Sequence, residues 1–182
     1  MIPANKNLRR GALSGVALAA VVGVMVQFTP QWEGLKLVAS RDKIGTGHPV
    51  DYCFGQTDEF GAVKVGQRFT PEQCGKKLAE SLPKYINGVS GCLKVDVSVK
   101  VLAALADGAY NAGIAAVCKS PMVRKINAGD MRGGCMAFEG WYVRSAGVVR
   151  KGLIARRSGV SGDPRKSERD LCLEGINDAL AQ

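Results

Sequence analysis

The rhythm of apolar and polar positions changes several times along the chain. Ala12 to Phe28 is a continuous apolar run inside an uncharged stretch from Gly11 to Trp32. As a helix that run would measure about 25 Å, just short of a ~30 Å hydrocarbon core. Trp32, Leu35, Val38 and Ala39 then recur at helical spacing after Pro30, which suits a first helical position, so a helix is predicted over 31–40. Gly45, Gly47 and Pro49 interrupt regular structure. Rough alternation over Val50–Phe54 and Ala62–Phe69, joined through Thr57–Gly61, predicts a short hairpin or small sheet.

Helical patterning follows. Thr70-Pro71-Glu72-Gln73 offers a cap, a Pro and an acid for a helix whose stripe is Leu78, Leu82, Tyr85 and Ile86. Ser98–Asn111 is apolar enough to be buried. Ser120-Pro121 opens a short helix that Gly129 follows, and Asp130 caps the next, which carries Met131, Phe138, Trp141 and Tyr142. A basic helix is predicted over Val148–Arg157, a loop over Ser158–Pro164 and a last helix over Ser167–Leu180. One amino-terminal helix, a small β element and then helices only make an α+β domain with a small sheet-bearing lobe and a larger helical one. The cleft between two such lobes is a common ligand site.

The apolar run invites a membrane reading. Lys6, Arg9 and Arg10 precede it, which favours a cytoplasmic start and an exported remainder. After Phe28 comes Thr29-Pro30-Gln31-Trp32, without the small-x-small pair that a signal peptidase reads, so a cleaved signal peptide fits poorly. The run is rich in Ala and Gly and contains Ser14 and Gln27, so its transfer free energy is modest. Two readings stand: a permanent anchor, or a weak one that enters the membrane and later leaves it.

Composition narrows the classes. At 182 residues, 46% hydrophobic and 23% charged, the chain is neither disordered nor a multi-span membrane protein. Aromatics are only 6%, so the core rests on aliphatic residues. A net charge of +9 suits an anionic partner such as nucleic acid, acidic lipid or cell wall. The basic residues from Arg144 to Arg169 are either a face that draws the protein to such a partner or a solvated helix surface. No recognised nucleic-acid module is present, and an exported chain argues against that partner. No C-x-x-C occurs and His48 is the single imidazole, so no metal or cofactor is expected.

All six cysteines (Cys53, Cys74, Cys92, Cys118, Cys135 and Cys172) lie beyond the anchor. Their even number agrees with export and three disulfides. The expected pairing is Cys53–Cys74, Cys92–Cys172 and Cys118–Cys135. No cysteine lies in residues 1–52, so thiol exchange with the anchor is unavailable as a control.

Two carboxylates carry the chemistry. Glu33 sits on the predicted helix and Asp42 at the start of the loop after it, nine positions on. A helix-borne Glu opposite a loop-borne Asp meets the need of glycoside hydrolysis for two carboxyl groups flanking a sugar ring. Here the sequence resembles the phage lysozymes of glycoside hydrolase family 24, and within them the signal-anchor-release endolysins of lambdoid phages. Glu33-Gly34 and Asp42 match the family spacing, and Tyr52-Cys53-Phe54-Gly55-Gln56-Thr57 matches its strand. Ala109-Tyr110-Asn111-Ala112-Gly113, Lys119-Ser120, Gly129-Asp130, Phe138, Trp141 and Gly152 to Arg157 match its carboxy-terminal half, so the similarity runs from about Gln31 to Leu173.

The resemblance implies a lysozyme-like α+β fold with a weak anchor over 1–29 and a muramidase domain over 30–182. The sheet-bearing lobe is expected at about 41–70 and the helical lobe at about 71–182. It implies cleavage of the β-1,4 bond between N-acetylmuramic acid and N-acetylglucosamine in peptidoglycan, by a monomer acting in the periplasm after release from the host inner membrane. Glu33 would be the acid, with Asp42 across the sugar. The family has a Thr six positions after that Asp, where this chain has His48. Aligning on the strand motif places Asp51 there instead; Thr46 is the third option. The site is therefore read as Glu33, Asp42 and Asp51. A wall-binding module without catalysis and a lytic transglycosylase are the alternatives.

Overall fold

The computed structural model describes residues 13–41, 49–141, 144–145, 148–149, 151–159 and 163–180. They divide into two compact units, one of them Val26–Pro83 and the other made of Lys84 onward with the helix segment before Val26. Helix α1 (Gly15–Phe28) is the first element among the described residues, followed by the short α2 (Pro30–Glu33).

The helix predicted over 31–40 stops at Glu33. Residues Lys36–Arg41 form strand β1, which pairs antiparallel with β2 (Val50–Cys53), and β2 pairs with β3 (Gln56–Thr57) in the order β1-β2-β3. Gly34, at φ 71°, ends the helix with a backbone conformation that side chains rarely adopt. The apolar spacing after it belongs to a strand whose Ala39 faces inward while Leu37 and Val38 stay largely exposed. The alternation over Ala62–Phe69 makes no strand either, beyond an isolated bridge from Arg68 to Val38. Ala39, Val50, Tyr52, Cys53 and Cys74 form the core of this unit, with Phe69 stacked on Tyr52 at 5.0 Å between ring centroids.

Helix α3 (Pro71–Ser90) begins as its sequence directs: Thr70 N–H donates to Gln73 Oε1 (2.8 Å) and Gln73 N–H to Thr70 Oγ1 (3.2 Å), a reciprocal capping box. In the second unit, α4 (Val99–Ala112) is buried continuously from Val101 to Ala109, and the Ser98 hydroxyl caps it. It packs against α9 (Glu168–Leu180) and α5 (Ile114–Cys118). Ser120 caps α6 (Pro121–Asn127) and Asp130 caps α7 (Met131–Met136), which ends before Phe138. The basic helix is confined to α8 (Lys151–Ser158), because Val148–Val149 (β5) pairs with Arg144–Ser145 (β4) as a second hairpin.

The disulfides are Cys53–Cys74, Cys92–Cys118 and Cys135–Cys172. The first is as expected; the other two replace Cys92–Cys172 and Cys118–Cys135. Packing decides this. The end of α5 lies beside the last turn of α3, with Cys118 Sγ 3.8 Å from Gly88 O, so Cys118 meets Cys92. Cys135 on α7 and Cys172 on α9 are both fully buried where those helices pack together.

Arg156 and Arg157 are not part of a basic surface. Both are buried: Arg156 Nε donates to Asp107 Oδ2 (3.0 Å) and Glu168 Oε1 (3.3 Å). Arg157 donates to Glu168 Oε1 and Asn111 Oδ1 (2.7 Å) and lies over the Trp141 ring. Arg165, Lys166 and Arg169 pair with Asp163, Glu174 and Glu139, respectively. Much of the predicted cationic face is thus buried or held by partners within the domain.

Candidate active site

Glu33 owes its place to the helix before it. Thr29, fully buried, keeps helical dihedrals (φ −57°, ψ −41°), so α1 runs almost directly into α2. Gly15–Glu33 is a 19-residue segment long and apolar enough to cross a membrane, and Glu33 is its last residue. The Glu33 side chain is half-buried and lies over the β2–β3 turn: a methyl added at Gly55 would sit 3.6 Å from Glu33 Oε2.

That turn is tightly specified. Gly55 holds φ 83° and donates its N–H to Tyr52 O (3.1 Å), and Phe54 N–H donates to Gln56 Oε1 (2.9 Å). The Gln56 amide is buried against Ser81, whose hydroxyl donates to Leu78 O (2.8 Å). The Cys53–Cys74 bridge ties the end of β2 to α3. The Tyr52 hydroxyl is buried without a hydrogen-bond partner; that burial chiefly, with Glu80 and Asp58 nearby, pushes its pKa above the ordinary tyrosine value.

Asp51 lies in the middle of the sheet, opposite Ser40 on β1 and Thr57 on β3. Its Oδ2 accepts from Lys36 Nζ at 2.5 Å and its Oδ1 contacts Ser40 Oγ at 3.4 Å. Lys36 Nζ also reaches Ser40 Oγ at 3.3 Å. Lys36 and Ser40 were not among the residues singled out from the sequence; the signal for them is strand register, which a helix reading of 31–40 hides. Asp42, Thr46 and His48 lie outside the described residues. Glu33 and Asp51 are therefore the two candidates that the structure places, both within Val26–Pro83. Among the described residues no group of three or more His, Cys, Asp or Glu could hold a metal ion.

A half-buried Glu at a helix end thus stands against a glycine turn of a three-stranded sheet. The family model for phage lysozyme matches residues 30–159. The chain belongs to the phage lysozyme family. It is a glycoside hydrolase of the lysozyme type. The SAR-endolysin of Pseudomonas phage phiKMV is 33% identical over 150 residues, covering 80% of this chain and 86% of that protein. The SAR-endolysin of bacteriophage PS119 is 29% identical over 177 residues, 96% of this chain and 98% of that one, so the similarity includes the anchor region. Among solved structures, the endolysin from Escherichia coli O157:H7 phage FAHEc1 superposes with a TM-score of 0.66 at 27% identity, covering 92% of this chain and 96% of that one.

Proposed function

We propose that the protein is an endolysin that hydrolyses the β-1,4 bond between N-acetylmuramic acid and N-acetylglucosamine of peptidoglycan, with Glu33 as general acid. The observation that carries this is the Glu33 carboxyl: half-buried, at a helix end, and held over the Gly55 turn. A general acid needs limited solvent and a fixed aim at the leaving oxygen, and both follow from such a seat. Asp42 and Asp51 then hold a water on the other face of the sugar, which gives inversion of the anomeric centre.

Control follows from connectivity. Glu33 is five residues beyond Phe28, so embedding α1 in a bilayer carries the acid to the membrane surface. The tethered protein, on the periplasmic side of the host inner membrane, is inactive. Exit of the Ala- and Gly-rich helix lets Glu33 reach its seat over Gly55, and the released form works in the periplasm as a monomer. Val21 and Met25 of α1 are fully buried in the folded protein, as a released helix requires.

The test is Glu33→Gln. The isosteric amide cannot supply the proton, so clearing of purified peptidoglycan should fall by at least about a hundredfold. Products of the wild type should carry new reducing ends; 1,6-anhydro ends would instead make it a lytic transglycosylase.

A further inference from the structure

We infer that Lys36 is a positioning residue for the hydrolysis: with Ser40 it fixes the orientation of the Asp51 carboxylate. The inference rests on the proposed role of Asp51 as a holder of the attacking water.

The geometry is a closed ring of three side chains. Lys36 Nζ donates to Asp51 Oδ2 at 2.5 Å and to Ser40 Oγ at 3.3 Å, and Ser40 Oγ contacts Asp51 Oδ1 at 3.4 Å. The two carboxylate oxygens thus meet different partners, and that fixes the plane of the group. An ionised carboxylate has about four acceptor sites, so this hold leaves capacity for a water.

The backbone is shaped to bring Lys36 there. Lys36 stands opposite Cys53 and Ser40 opposite Asp51, so the step from Lys36 to Ser40 on β1 faces a shorter step from Cys53 to Asp51 on β2. The surplus is taken up by a bulge at Leu37–Ala39, and bulges re-aim side chains. The chain 66–69 holds that bulge: Phe69 N–H donates to Leu37 O (2.9 Å), Ala39 N–H to Gln67 O (2.9 Å) and Gly66 N–H to Ala39 O (2.8 Å). Lys36 is thereby drawn toward Asp51 along the strand.

Stability does not explain the arrangement. The Lys36 and Asp51 side chains are 44% and 23% exposed, and an ion pair this open to water adds little to folding. Its effect should appear in the chemical step instead.

The experiment measures kcat and apparent KM on purified peptidoglycan for the full-length protein and for Lys36→Met, Lys36→Arg, Asp51→Asn and the double variant Lys36→Met/Asp51→Asn. Lys64→Met, on an exposed lysine of the same unit, controls for loss of one positive charge. Lys36→Met should lower kcat roughly tenfold, with KM and melting temperature little changed, because misorienting a group that holds a reactant slows the step without weakening binding. Lys36→Arg should recover most of the rate, Lys64→Met should keep it, and Lys36→Met should cost nothing further once Asp51 is Asn. Equal losses from Lys36→Met with and without the Asp51 carboxylate would overturn the inference, as would a loss that Lys64→Met reproduces. Full activity of Asp51→Asn beside an inactive Glu33→Gln would also overturn it while leaving the muramidase reading intact. An active Glu33→Gln would bring down both.

Discussion

At the scale of single residues, Gly55 and Glu168 show how strongly position decides chemistry. Gly55 combines φ 83° with an approach to the Glu33 carboxyl. In Gly55→Ala the left-handed backbone disfavours the new side chain, and its methyl would touch Glu33. The variant should lose about 1 kcal/mol of stability by chemical denaturation and, in addition, activity beyond what unfolding explains. Glu168 has no catalytic part. Complete burial, with Asp107 beside it, raises its carboxyl to about 8 against the opposing pull of Arg157 and Arg156. The native protein therefore keeps a proton that the unfolded chain releases near 4.5, the ordinary value for a glutamic acid. The sign follows: this contribution is complete below that value and is lost as pH climbs toward about 8. Unfolding free energy measured across that window should fall with pH, and Glu168→Gln, which cannot ionise, should flatten the slope.

At the scale of elements, α1 belongs to a segment, Gly15–Glu33, that is long and apolar enough to cross a membrane, yet its Val21, Met25 and Phe28 are buried in the folded protein. A Cβ added at Gly15 or Gly23 would meet nothing within 4 Å, so Gly15→Leu/Gly23→Leu should leave the fold intact while raising the cost of leaving a bilayer. Fractionation of expressing cells should find this variant in the membrane, with lysis delayed; unchanged lysis would contradict release control. Helix ends were legible in the sequence wherever a cap names itself, as at Thr70, Ser98, Ser120 and Asp130. The segment 31–40 was not, because in a short apolar stretch the spacing of helix and strand overlaps, and Gly34 decides between them through its backbone alone. The Val148–Val149 hairpin was hidden for a related reason: two-residue strands carry no period. Glu33 and Asp51 are candidates that motif spacing alone supplies, whereas Lys36 and Ser40 depend on a bulge that only pairing reveals.

At the scale of the molecule, the disulfides divide as the compact units do. Cys53–Cys74 lies within Val26–Pro83, and Cys92–Cys118 and Cys135–Cys172 lie beyond it. A bridge closing a loop of this length contributes about 3 kcal/mol, chiefly through the unfolded chain. In Cys53→Ala/Cys74→Ala, hydrogen exchange should speed up across β1 to β3 while the amides of α4 stay protected. Activity should fall with it, since the turn beneath Glu33 is built on β2. The chain carries a net charge of +9, yet Arg156 and Arg157 are turned inward, and the proposed chemistry rests on the carboxylates. The most direct test of that claim is the product release rate from purified peptidoglycan by wild type and Glu33→Gln, followed as new reducing ends. The account predicts reducing ends from the wild type and a rate at least about a hundredfold lower from the folded variant. A folded Glu33→Gln that releases them at the wild-type rate would contradict it.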